Sequence, residues 1–169
     1  MKLKILLLSI LITCICVCCS KENGQKGIIT IEGITECNNV GEIIGNIDTT
    51  DWRFTDTWSS TEQKLFRIHN SNNTVTEGTR PDSSVVILGY PNPATTLMFF
   101  TFHLNPNMYY DARIVDNKLN IKLQFDSVKY SYFDIKDSAY LKNELYRLYY
   151  KVYSENKVYR GHGDFKFIN

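Results

Sequence analysis

Four of the chain's five cysteines, Cys14, Cys16, Cys18 and Cys19, fall within six consecutive positions of a 169-residue sequence. Thiols at that density can build a metal cluster, a disulfide framework or an acylation target. Paired thiolates bind zinc only on a folded scaffold, and a redox C-x-x-C pair belongs beside a βαβ pattern; neither context follows here. Imidazole chemistry rests on His69, His103 and His162. His162 and Asp164 alternate within "GHGD", where they could bind a metal, orient a base, or make ordinary local hydrogen bonds on a strand. Gly161 and Gly163 beside them permit a bulge or a close backbone approach. Asp48, Asp51 and Asp56 could be imagined around calcium, but their spacing matches no EF-hand loop, and turn or cap duty is the simpler expectation. Trp52 and Trp58 flank these turns, either as an exposed aromatic platform for sugar or peptide or as apolar anchors against a sheet. The candidate binding surface is therefore Trp52, Trp58, His162 and Asp164. No G-x-S-x-G, Walker A, H-E-x-x-H or Rossmann fingerprint appears, so no catalytic residue, cofactor or metal is expected. A small hydrolase or glycan-active enzyme stands as a third alternative behind the two developed below.

The elements that carry these residues begin with an N-terminal export pattern. Lys2 and Lys4 form a short basic region, and residues 5–17 form an apolar run broken only by Ser9, Thr13 and cysteines. The run is shorter than the ~20 residues that span a bilayer core and has the anatomy of a secretory signal peptide. Where it meets Cys18 and Cys19 it resembles a bacterial lipoprotein signal with its lipobox. That resemblance implies removal of residues 1–18 and acylation of Cys19, which has Cys18 as a fairly small residue at −1. Cys18 is the alternative acceptor, with Ile15 as a good −3 residue but the bulkier Val17 at −1. "SKEN" after it resembles the Lys-plus-acid signal that sends some Bacteroidetes-type lipoproteins to the cell surface. The implied location is the bacterial envelope, lipid-anchored, at the outer membrane and surface-exposed. Cys37 is expected to be a buried or idle thiol, or to pair with Cys19 if Cys18 carries the lipid.

Charge argues against a nucleic-acid partner. The chain carries 19 basic and 18 acidic side chains, and removing residues 1–18 takes away Lys2 and Lys4 and no acid, for a mature balance of −1. No basic patch or acidic block stands out. Hydrophobic residues at 43% and aromatics at 13% are enough for a packed core. The division expected is a signal peptide at 1–18, a tether at 19–33, a helix-and-loop segment at 34–84 packing on the sheet, and a β-domain at 85–169. A short strand is expected at 28–31. Ser59 and Glu62 form a capping box for a helix over 60–68 with Leu65 and Phe66 turned inward. Residues 70–84, with the sequon Asn72-Asn73-Thr74, have loop composition.

From Val85 onward period-two patterning dominates. "TTLMFFTFHL" places Met98, Phe100, Phe102 and Leu104 on one face. "KLNIKLQF" places Leu119, Ile121, Leu123 and Phe125 inward after a turn at Asp116-Asn117, which makes a hairpin of 109–125. A second hairpin turns near Glu155-Asn156, and its tyrosines are expected to pack across strands. "IKDSAYLK" between the hairpins is a short helix or crossover. Short strands at this spacing without βαβ rhythm predict a mainly-β antiparallel sandwich with one or two short helices.

"YPNPATT", residues 90–96, followed by an aromatic-aliphatic strand, resembles the opening of type IX secretion C-terminal sorting domains and the related fold of flagellar-hook scaffolds. The resemblance covers about residues 85–169. It implies an immunoglobulin-like sandwich closed by residues 146–153 and 157–168. Two roles follow as expectations: a non-enzymatic binding, adhesion or assembly lipoprotein with an envelope protein or glycan as partner, or a type IX substrate or component whose β-domain is its sorting signal.

Overall fold

The computed structural model describes residues 29–55, 57–66, 76–81, 84–136, 141 and 144–168. The expected signal peptide, Cys14, Cys16, Cys18, Cys19, most of the expected tether, Asp56, His69 and the sequon lie outside them. In chain order the described elements are β1 (Arg53–Phe54), α1 (Ser60–Gln63), β2 (Thr76–Glu77), β3 (Val86–Tyr90), β4 (Leu97–His103), β5 (Tyr109–Val115), β6 (Ile121–Val128), β7 (Tyr132–Lys136), β8 (Leu145–Ser154) and β9 (Lys157–Lys166). They form two sheets, a larger one ordered β1-β9-β8-β5-β6 and a smaller one ordered β3-β4-β7. All of these pairs are antiparallel; β2 adds to β9 in parallel. This is the mainly-β sandwich predicted from the alternation. No described helix is long and apolar enough to cross a membrane.

The alternation works as expected in the strands that face the core. Met98, Phe100 and Phe102 of β4 are fully buried, as are Tyr146, Leu148, Tyr150 and Val152 of β8. Phe102 stacks on Tyr110 across the sheets with centroids 3.8 Å apart, and Phe100 meets Phe165 edge-on at 5.1 Å. Each fully buried aromatic side chain contributes roughly 3 kcal/mol of transfer free energy at most, so this cluster holds the two layers together.

β9 is the hub. It pairs with β8 along all ten of its residues, with β1 at residues 161–162 and with β2 at 157–158, and Phe167 just beyond it bridges to Ala94.

Four local expectations are corrected. Residues 29–31 form no strand; Ile29 donates one backbone hydrogen bond, to the Asn117 carbonyl at 3.0 Å. The helix ends at Gln63 rather than continuing past Leu65, although Ser59 and Glu62 do form the capping box and Phe66 is buried. The 116–120 segment is a wide turn, not the start of an alternating strand. Asp116 accepts from the backbone of Lys118 and Asn120 and Leu119 has a φ of 58°, so Leu119 packs in a second cluster while Ile121 is 43% exposed. Finally, residues 132–136 form a strand where only a helix or crossover was anticipated from 135 on; Ile135 pairs with Met98 and supplies its core contact.

The second cluster lies on the outward face of the larger sheet. Trp58 and Phe66 stack at 5.3 Å, and Tyr149 meets Trp58 edge-on at 5.2 Å. The guanidinium of Arg113 and the ammonium of Lys151 each lie 4.9 Å from the Phe66 ring, a cation–π arrangement. Arg113 also donates to the Leu65 carbonyl at 3.2 Å, which ties the helix segment to β5.

Candidate functional site

Asp164 lies on the outward face of β9 and is fully buried, which would be prohibitive for a lone carboxylate. Its cross-strand neighbour Arg147 answers it with a two-pronged ion pair, Nε to Oδ1 and Nη2 to Oδ2, both 2.6 Å. Burial raises the Asp164 pKa and the guanidinium opposes that rise. The backbone N–H of Asp164 donates to Asp51 Oδ1 at 2.8 Å, and that of Thr35 donates to Asp51 Oδ2 at 2.9 Å. Burial and the charge of Asp164 push the Asp51 carboxyl up to about 7, against those two hydrogen bonds. Asp48 sits beside them, and Thr50 donates to its Oδ1 from both backbone and hydroxyl.

Asp48, Asp51 and Asp164 thus bring carboxylate oxygens within 4.8 Å of one another. Both oxygens of Asp51 and of Asp164 are already occupied by N–H donors, and Arg147 supplies the positive charge a cation would bring. The cluster is a clamp that seats the 35–51 segment on β9. Of the three aspartates weighed as calcium ligands, Asp48 and Asp51 meet here in turn and hydrogen-bonding roles.

Asn92 completes the clamp and shows what "YPNPATT" does. It is fully buried between two prolines whose preceding peptide bonds are cis. Its side-chain amide donates to the carbonyls of Thr35 and Asp164 at 3.0 and 2.9 Å, and its Oδ1 accepts from Lys166 N–H at 3.2 Å. Its backbone exchanges two hydrogen bonds with Cys37, which is itself a buried thiol whose pKa burial raises.

The other predicted site residues are placed as follows. His162 faces Tyr149 with ring centroids 6.1 Å apart, and burial plus the Arg147 charge lowers its pKa to about 4. Asp164 is committed to Arg147 and not to His162. Trp58 is 6% exposed, inside the second cluster. Trp52 has a φ of 57°, a conformation uncommon outside glycine, and its indole is wedged between the sheets. A Cβ built on Gly163 would lie 2.2 Å from that ring, and one on Gly89 2.6 Å from it. Both positions therefore need glycine for close approach, without a bulge in β9. His103 is exposed at the end of β4.

Exposed apolar side chains lie elsewhere, on the outer face of the smaller sheet, among polar ones. Register places Val86 opposite His103, Leu88 opposite Thr101 and Tyr90 opposite Phe99, with Asp134 and Tyr132 continuing the rows on β7. Val86 is 52% and Tyr132 63% exposed. Gly41 rests on Leu88 and Tyr90, and the loop around it exposes Val40 and Ile44 by 72% and 67%. The rows interleave the apolar side chains with His103, Thr101 and Asp134, and exposed apolar groups gathered on one face are a candidate interaction surface. The sign of it in the sequence was "LMFF", where the outward positions Leu97 and Phe99 are as apolar as the inward ones.

No family model matches the sequence, and no curated protein matches it.

Proposed function

We propose that the chain is a bacterial envelope lipoprotein of the Bacteroidetes type, anchored through Cys19 with Cys18 as alternative. In this reading its sandwich acts without catalysis, as a binding, adhesion or assembly module at the outer membrane. The observation that carries the binding role is the exposed apolar face of the smaller sheet, with Tyr132, Val86 and the Val40–Ile44 loop around it. An envelope protein is the partner that such a surface fits best, with a glycan as the alternative. The carboxylates of the clamp on β9 are taken up by structural hydrogen bonds, so the binding role is placed on the exposed surface instead.

Palmitate labelling of the wild type and of Cys19→Ala and Cys18→Ala tests the anchor. Labelling lost in the first variant and kept in the second is expected; an unlabelled wild type released to the medium overturns the anchor. Proteinase accessibility on intact cells, with a photo-crosslinker at position 132, tests the surface. A discrete adduct is expected, and its absence alongside a protease-protected domain argues against display.

The second reading is a type IX secretion substrate or component, favoured by the Pro-Asn-Pro opening ahead of an aromatic strand. It predicts mislocalisation in a strain lacking that secretion system, which the first reading does not.

A further inference from the structure

We propose that the hairpin of residues 36–46, with Ile47 beside it, dips into the surface of the lipid bilayer to which the chain is anchored. The proposal rests on the anchored reading above and deepens it, by naming the part of the domain that meets the membrane. Four of the large apolar side chains exposed among the described residues belong to this one segment. They are Val40, Ile43, Ile44 and Ile47, exposed by 72%, 54%, 67% and 56%. Backbone enters a bilayer surface at least cost when its polar groups are satisfied without water. Here Glu36 N–H donates to Asn46 O at 2.8 Å, Ile44 N–H to Glu36 O at 3.0 Å and Asn38 N–H to Glu42 O at 2.9 Å. At the tip, Asn38 Oδ1 accepts from Val40 N–H and Glu42 N–H, both at 3.0 Å. The stretch from 33 to 51 has no lysine or arginine, so burial of apolar side chains, and not attraction to anionic headgroups, drives insertion.

The point where the chain enters the domain favours a lipid surface over a protein. Ile29 N–H donates to the Asn117 carbonyl at 3.0 Å, and Arg147 Nη2 donates to the Thr30 carbonyl at 3.4 Å. Strand register sets Val115 beside Arg147 and Arg147 beside Asp164. Asn92 then joins Asp164 to Cys37, which is bridged to Ile43 in the hairpin. Entry point and hairpin therefore share one end of the sandwich. Cys19 and Ile29 can be no more than ~35 Å apart along the chain, about the length of β9 itself. An acylated Cys19 thus holds this end, and not the far one, towards the bilayer. Val86 and Tyr132 begin their strands at the far end, which leaves that part of the surface to a partner.

The test reconstitutes the full acylated chain in phosphatidylcholine vesicles and reads tryptophan quenching by brominated acyl chains. Ile44→Trp and Tyr132→Trp are compared with the wild type, which supplies the background from Trp52 and Trp58. Quenching of Ile44→Trp is expected to be at least about twofold stronger than that of the other two, and strongest for bromines near the headgroup end. Adding an anionic lipid is expected to leave it unchanged. Val40→Ser with Ile47→Ser in the Ile44→Trp chain is expected to keep the melting temperature and lose about half of the quenching or more. Quenching no stronger at 44 than at 132 overturns the proposal. A protein adduct from a photo-crosslinker at position 44 on intact cells, without quenching, gives the hairpin to a protein partner and overturns it too. Palmitate labelling reads the anchor separately. Should the chain prove unlabelled, it is mixed with the same vesicles, and quenching at 44 still decides the role of the hairpin.

Discussion

Asp51 and His162 sit on the same face of the fold and pull its stability in opposite directions with pH. The Asp51 carboxyl is raised to about 7, so its contribution is complete below about pH 4 and is lost as pH rises through 7. The His162 imidazole is lowered to about 4, so its contribution is complete above about pH 6.5 and is lost as pH falls through 4. Between pH 4 and 6.5 the two slopes offset one another. Urea denaturation from pH 4 to 7 is expected to separate them. Relative to wild type, Asp51→Asn should gain roughly 3 kcal/mol across that range and His162→Phe should lose a similar amount. Difference curves that stay flat for both variants would show that neither group titrates as its surroundings dictate. At this scale the sequence told little. "GHGD" drew attention to His162 and Asp164, yet the partner of Asp164 is Arg147, 17 residues earlier and opposite it only by strand register. Asn92 was legible as part of a motif, but its four partners come from segments distant in the chain.

The turn from Asp116 to Asn120 shows how one side chain sets an element's boundary. Asp116 accepts hydrogen bonds from two backbone N–H groups and the Asn120 amide, and it lies 3.1 Å from the Lys122 ammonium. Against its partial burial, these partners hold its pKa at about 2. Its contribution is present above about pH 4 and vanishes as pH falls through 2. Asp116→Ala is expected to cost about 2 kcal/mol at pH 7 and nothing near pH 2; an equal cost at both would refute the charge-based account. Strands were legible wherever burial on one side imposed period two, as in β4, β8 and β9. They were missed where other constraints ruled. β7 is short, and only Ile135 is deeply buried in it. The expected inward run from Leu119 to Ile121 fails because the β5–β6 register shifts between Ile114 and Val115 and the turn swings Leu119 to the opposite face.

For the molecule as a whole, the sandwich class followed from alternation alone, while the seat of Trp52 between the sheets did not. That seat depends on two glycines, Gly89 and Gly163, that meet around one indole only after folding. The order of synthesis matters at this scale as well. Since β9 pairs with β8, β1 and β2, and the Asp51 and Asn92 contacts also end on it, a chain stopped at residue 156 lacks the strand that joins all of them. Such a truncation is expected to show no cooperative thermal transition by circular dichroism, and a wild-type-like melt would contradict the hub role of β9. The consequence is one of timing. Pairings that bridge more than a hundred residues, such as that between Arg53 and His162, are slow to form and cannot begin until residue 162 is available. The larger sheet thus cannot gain its β1 and β8 pairings until β9 has been made, so β9 sets when the domain can close.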